Sequence, residues 1–176
     1  MSAEIVVVPI VTFSSILDRS DFSCGNADLD DWLKTKAGQN QRRHNTRTFV
    51  ALDPDGRRVI GYYATTTYRL DRDEAATAFG TGKKTYPVPA VLLARLAVDR
   101  EWAGRGVGRQ LLVHALDGIG TASRAVGFEV VVVHAVDEGA VTFYARYGFT
   151  RFAVHPLHLF MPVKHLLKTL GADPAD

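Results

Sequence analysis

Apolar positions along this chain switch repeatedly between the period of a strand and that of a helix. Residues 4–12 (EIVVVPIVT) are rich in β-branched side chains and predict a strand. NADLDDWLKTKAGQNQRRHN then opens with Asn26 as an N-cap and acids in the first turn. Its apolar residues Leu29, Trp32, Leu33 and Ala37 fall at helical spacing. RTFVAL and RRVIGYYATTTYRL read as two strands joined by the turn DPDG. Residues 71–87 carry no dominant period and read as a loop with a short helix at DEAATA. PAVLLARLAVD predicts a central strand, and residues 106–127 predict a long helix with Leu111, Leu112, Ala115, Leu116 and Ile119 on one face. FEVVVVHAV is apolar without alternation, the mark of a strand buried on both faces. GAVTFYARY reads as a short helix, GFTRFAV and LHLFMPV as closing strands. A last helix starts at Pro162 or Val163 and ends near Gly171.

This order predicts an α/β fold, a single domain over residues 1–176 with a mixed sheet and helices on both sides, residues 171–176 trailing as a tail. The strand, glycine turn, long helix and second buried strand predict a right-handed parallel crossover. A length of 176 residues suffices for a full core. No apolar run reaches membrane-spanning length, and MSAEIVVVPIV lacks the basic start of a signal peptide. Cys24 is the only cysteine, which excludes an intrachain disulfide and fits a reducing, cytoplasmic setting.

The formal net charge of +2 says nothing about partners, but its distribution does. Between Trp32 and Leu52 there are five basic residues, Lys34, Lys36, Arg42, Arg43 and Arg47, and no acid. Between Gly139 and Ala172 there are four more, Arg146, Arg151, Lys164 and Lys168, again without an acid. Solvated helix faces account for such runs as readily as a polyanionic partner does, and both readings stay open.

The stretch LARLAVDREWAGRGVGRQLLVHAL spaces three glycines at alternate positions ahead of the long helix. Glycines there clear side chains from a bend, so that backbone N–H groups and the helix start approach an anion closely. A Walker loop needs GxxxxGK[ST], which is absent. A Rossmann fingerprint needs GxGxxG near the start of a βαβ unit and an acid about 20 residues on. Neither is met. A glycine-rich helix entry with no ligand is the alternative, and the interleaved Arg105 and Arg109 argue against it.

LAVDREWAGRGVGRQLL, followed by FYARYGF, resembles the acyl-CoA-binding core of the GNAT N-acetyltransferases. The family fingerprint [QR]xxGx[GA] is met except at Ala103, where a Gln or Arg is usual; one side chain is lost and the backbone cradle kept. Five blocks in order, DRSDFSCGNADLDDWLKTKAGQ, GYYATTT, ARLAVDREWAGRGVG, VVHAVDEGAVTFYARYGF and HLFMPV, are similar to the TacT/AtaT type of toxin, GNAT enzymes that acetylate the α-amine of aminoacylated tRNA. The resemblance implies acetyl-CoA as co-substrate, aminoacyl-tRNA as acceptor, a ribbon–helix–helix antitoxin and a homodimer, with neither metal nor membrane. It also implies site residues. Backbone groups of Leu96, Ala97 and Val98 would meet the pantetheine arm, and Gly104, Arg105, Gly106, Val107, Gly108 and Arg109 the pyrophosphate. Phe143 joins the coenzyme contacts. The Val98 N–H would stabilise the oxyanion, and Tyr144 would protonate the leaving thiolate. Tyr147 stands at a variable aromatic position and is expected to pack.

No base is visible, since the strand LLARLAV carries no Glu, and Asp99 and Glu101 lie beyond its end. An α-amine titrates near 8 in peptides, lower in an ester, so water suffices as proton acceptor, whereas a lysine near 10.4 would need more help. Lys34, Lys36, Arg42, Arg43 and Arg47 are the candidates for tRNA phosphates, with Lys83 and Lys84 extending the track. Cys24 reads as a packed small residue. The six histidines show no metal-ligand spacing and are treated as non-catalytic, His155 and His158 flanking a strand start. Two other functions remain open: a GNAT acting on a small amine or a protein N-terminus, and a non-enzymatic acyl-CoA-binding regulator.

Overall fold

Seven strands form one mixed sheet flanked by helices: β1 (Ile10–Thr12), β2 (Arg47–Leu52), β3 (Val59–Arg69), β4 (Pro89–Val98), β5 (Val130–His134), β6 (Thr150–Arg151) and β7 (His158–Pro162). Their spatial order is β1-β2-β3-β4-β5-β7-β6. The helices are α1 (Ala27–Asp31), α2 (Ala37–Arg42), α3 (Arg72–Phe79), α4 (Val107–Ala122), α5 (Glu138–Ala145) and α6 (Val163–Thr169). This is a computed structural model, and it describes residues 4–171. The expected tail beyond Gly171 lies outside the described residues. Among the described residues no helix is long and apolar enough to cross a membrane.

The chain folds as two compact units, one built from the residues up to Thr66 with Ala94–Ala115, the other from Thr67–Leu93 with the residues from Leu116 on. In the first, β1, β2 and β3 pair antiparallel. Asn26 caps α1 as expected, its side chain accepting the Leu29 N–H at 3.1 Å. Between α1 and α2 the chain widens into a π-type turn, Trp32–Lys36, that the spacing of apolar residues does not reveal. That turn seats Trp32 on Tyr62, stacked at 5.8 Å with 10° between the ring planes, and Phe22 meets Tyr62 edge-on at 5.7 Å. The Tyr62 hydroxyl donates to the Leu29 carbonyl at 2.7 Å, so this fully buried side chain is also satisfied.

The first strand is shorter than residues 4–12 suggest. Only Ile10–Thr12 pairs as strand. Upstream, the Pro9 carbonyl still accepts the Leu52 N–H of β2 at 2.9 Å, but Val6 and Val8 find partners that are not strand residues. The Val6 N–H donates to the Arg105 carbonyl at 3.1 Å, and Gln110 fills the place of a ladder partner. β-branched composition points to a strand here but does not specify how much of the segment finds a strand to pair with.

In the second unit, β4 and β5 pair parallel, Ala90–Leu93 against Val130–Val133, which is the pairing expected from the crossover through α4. The four valines Val130–Val133 are all 0% exposed, as the unbroken apolar run implies. β7 pairs antiparallel with β5 and with β6. β6 is only two residues long, a correction to the strand read from GFTRFAV. The stretch after β3 does hold a helix, Arg72–Phe79. α3 begins with a capping box in which Asp71 accepts the Glu74 N–H at 2.7 Å and Glu74 accepts the Asp71 N–H at 3.0 Å.

Candidate active site

The glycine loop enters α4 through two left-handed residues, Gly104 at φ +74° and Gly106 at φ +82°. An L side chain at either would strain the bend. A Cβ on Gly104 would meet nothing within 4 Å, so the backbone there faces open space. The first N–H groups of a helix have no partners within it, and the aligned peptide dipoles put roughly half a positive charge at that end. Arg105 lies with its guanidinium 4.4 Å from the Trp102 ring, and Arg109 is exposed on the first turn of α4. Open backbone, a 16-residue helix start and two arginines are the chemistry a diphosphate requires.

Two residues that local sequence reading did not single out position this loop. Gly61 on β3 is the first. A Cβ there would fall 2.9 Å from Leu111 Cδ1, 3.2 Å from the Ala97 carbonyl and 3.3 Å from Val107 Cγ1, so only glycine lets the first turns of α4 lie on β3 and β4. Gln110 is the second. Its Nε2 donates to the Val6 carbonyl at 2.7 Å and to the Gly106 carbonyl at 3.1 Å, while its Oε1 accepts the Val8 N–H at 3.0 Å. One amide thus fastens the N-terminal segment to the loop. Ile5 is 68% exposed and sits over Gly106, 3.2 Å from where a Cβ would stand. The N-terminal partners of Gln110 are 102 and 104 positions away in sequence, so no local pattern announces them.

Leu96, Ala97 and Val98 form the last part of β4, beyond the residues that pair with β5. The acids that follow are not bases in waiting. Asp99 is 3% exposed and accepts the Ser23 N–H at 3.1 Å and the Glu101 N–H at 2.9 Å. Glu101 pairs with Arg58 at 2.7 Å.

Tyr144 and Phe143 lie near the end of α5, whose N-cap Asp137 accepts the Ala140 N–H at 2.8 Å. Tyr144 is 4% exposed, edge-on to Phe143 at 5.3 Å and to Phe149 at 5.8 Å. Burial raises its phenol well above the ordinary value near 10, because a phenolate in that setting loses its hydration. The group is therefore a neutral O–H at physiological pH, the form that donates a proton. Tyr147 packs against Phe143 at 5.2 Å, as its position suggested.

Of the basic candidates, Lys36, Arg42, Arg43 and Arg47 are exposed and Lys34 is half-buried. Lys34 and Lys36 lie in the π-type turn, Arg42 and Arg43 at the end of α2, and Arg47 at the start of β2. Lys83 is exposed. Lys84 leaves the track. Its ammonium pairs with Glu129 at 2.7 Å and sits 4.6 Å from the Phe79 ring, so its charge is already neutralised. Cys24 packs against the first unit's core, and burial together with Asp30 pushes its thiol up to about 11, which makes it inert as a nucleophile.

A family model described as an acetyltransferase (GNAT) domain matches residues 44–151. The chain belongs to the GNAT family. This GNAT N-acetyltransferase is 35% identical to a tRNA-acetylating toxin of Mycobacterium tuberculosis over 156 residues, 88% of this chain and 91% of that one. Among solved structures it is similar to AtaT complexed with acetyl-methionyl-tRNAfMet, at 29% identity and a TM-score of 0.82, covering 93% of this chain and 99% of that one. It is also similar to a tyrosine-to-phenylalanine mutant of AtaT bound to acetyl-CoA and to the C-terminus of the antitoxin AtaR. There the identity is 28% and the TM-score 0.79, over 93% of this chain and 98% of that one.

Proposed function

We propose that this GNAT enzyme moves the acetyl group of acetyl-CoA onto the α-amine of aminoacyl-tRNA and so acts as a toxin that blocks translation. The observation that carries the reading is likeness over nearly the whole chain to a protein named for that activity, at 35% identity and 88% coverage. The solved relative holding acetyl-methionyl-tRNAfMet supports the same acceptor. Acetyl-CoA supplies the acetyl group as an activated thioester. The residues from Gly104 to Arg109 hold its diphosphate through backbone N–H groups, the positive end of α4 and the two arginines. Leu96, Ala97 and Val98 offer backbone groups to the pantetheine arm, with Phe143 among the coenzyme contacts. The Val98 N–H stabilises negative charge on the carbonyl oxygen, and Tyr144 gives its proton to the departing sulfur.

The acceptor needs only a weak base. An α-amine has a reference value of about 7.7–8.0 and an ester lowers it, so water takes the proton once Asp99 and Glu101 are committed elsewhere. Lys34, Lys36, Arg42, Arg43 and Arg47 track the phosphates of the tRNA. The toxin is neutralised by an antitoxin of the ribbon–helix–helix class and works as a homodimer in the cytoplasm. The AtaT complex with the C-terminus of its antitoxin supports an antitoxin partner.

Incubation with labelled acetyl-CoA and total charged tRNA tests the proposal. The label is expected on the amino acid released from tRNA by mild base. Label found only on small amines or protein N-termini would replace this reading with the alternative acceptor.

A further inference from the structure

Four side chains that acetyl transfer does not use gather within the second unit. Glu74, on the first turn of α3, is 0% exposed. His155 and His158 stand at the two ends of a turn into β7, closed by the His158 N–H donating to the His155 carbonyl at 2.9 Å. One ligand-competent atom from each of Glu74, His155 and His158 lies within 4.8 Å of the other two. His134, at the end of β5, pairs with His158 across the ladder, and their rings stack with centroids 3.7 Å apart.

Glu74 and His155 are oriented from behind. The Tyr68 hydroxyl sits 3.1 Å from both Glu74 oxygens, and the Asp71 N–H donates to one of them. These donors are neutral, and among the described residues no Lys or Arg pairs with Glu74. His155 Nε2 lies 3.5 Å from Asp71 Oδ2, the kind of carboxylate contact that orients a ligating imidazole. His158 Nδ1 and His134 Nε2 are buried and have no hydrogen-bond partner among the described residues. Buried polar nitrogens are ordinarily partnered, so two orphans side by side point to a missing partner.

We propose that Glu74, His155 and His158 form a binding site for one divalent transition-metal ion, with zinc the best suited. Two imidazoles and one carboxylate, with a fourth position open, are a zinc donor set, whereas magnesium and calcium ask for shells of oxygen. Bonds of about 2.0–2.1 Å set tetrahedral ligand atoms roughly 3.3 Å apart, so the cluster has to close by about 1.5 Å at most. The His155 side chain is 40% exposed and has room to turn inward. His134 covers the far face of the His158 ring. The ion ties the turn before β7 to the start of α3, and its fourth position is open to water or an anion.

Tag-free, full-length protein stripped with EDTA is titrated with zinc by calorimetry and with cobalt by visible absorption. One ion per chain is expected, with the intense visible bands of four-coordinate cobalt, and a thermal midpoint raised by roughly 5 °C at a hundredfold excess over the dissociation constant. His155→Ala and His158→Ala should each weaken zinc binding about 100-fold or more. Glu74 also caps α3, so the half-exposed His155 is the deciding position, and the metal-free midpoint of His155→Ala should match that of the wild type. Absence of saturable zinc binding, or binding left unchanged by both histidine substitutions, would overturn the site.

Discussion

The glycine loop before α4 and the helix that carries Tyr144 differ in nearly every physical respect. The loop is wet, cationic and made of backbone, with two glycines at positive φ and an arginine on either side of Gly106 to Gly108. Tyr144 on α5 is instead buried among aromatic rings, edge-on to Phe143 and Phe149. Holding a strongly hydrated dianion calls for many N–H donors and positive charge without loss of water access. Delivering a proton calls for one group kept neutral by the exclusion of water. The proposed function places binding and chemistry in regions of opposite polarity, so substitutions in the two should have separable effects.

The largest effect is expected at Tyr144. Phenylalanine there keeps the ring packing and removes only the proton, so turnover should fall about 100-fold or more, and cells that stop growing on expression of the wild type should tolerate the variant. Growth arrest by both forms would remove the phenol from the chemistry. Next is the acceptor side. Reversing charge at both Arg42 and Arg43 should weaken tRNA binding about tenfold or more and flatten its dependence on salt by roughly 2 in log–log slope. An unchanged slope would take the end of α2 out of the interface.

The loop itself comes third. Gly106→Ala meets both a left-handed backbone and Ile5, and should cost about tenfold in acetyl-CoA affinity, while Gly104→Ala meets strain alone and should cost less. Equal effects, measured by calorimetry, would show that the N-terminal segment does not press on the loop. Gln110→Ala follows, with a stability loss of about 1–2 kcal/mol in denaturant titration and a rise of a few-fold in KM for acetyl-CoA. The smallest effect is a matter of pH. Burial raises the Tyr144 phenol, so its proton stays on as pH rises, and kcat should show no alkaline fall below about pH 10. A fall near pH 8 that disappears in Tyr144→Phe would contradict the raised value.

Much of this was legible in the chain because it is local. Asn26 followed by acids and a helical apolar repeat specifies a capped helix, and four successive valines specify a strand buried on both faces. The three alternating glycines specify a bend ahead of α4, and two of them hold positive φ. What escaped depends on residues far apart in sequence. Val6 and Val8, ahead of β1, find their partners in Arg105 and Gln110 instead of in a strand. The π-type turn that seats Trp32 keeps the apolar spacing of an ordinary helix, so periodicity does not reveal it. Lys84 looks like free charge until folding brings Glu129 beside it. His155 and His158, at the two ends of the turn into β7, carry no ligand spacing alone; Glu74, the third member of their cluster, comes from the capping box of α3.

The separation of binding from chemistry is tested most directly by measuring two quantities on Tyr144→Phe: the dissociation constant for acetyl-CoA and the single-turnover rate of acetylation of charged tRNA. The expected result is an affinity within about twofold of the wild type and a rate lower by about 100-fold or more. Lost affinity with an undiminished rate would contradict it.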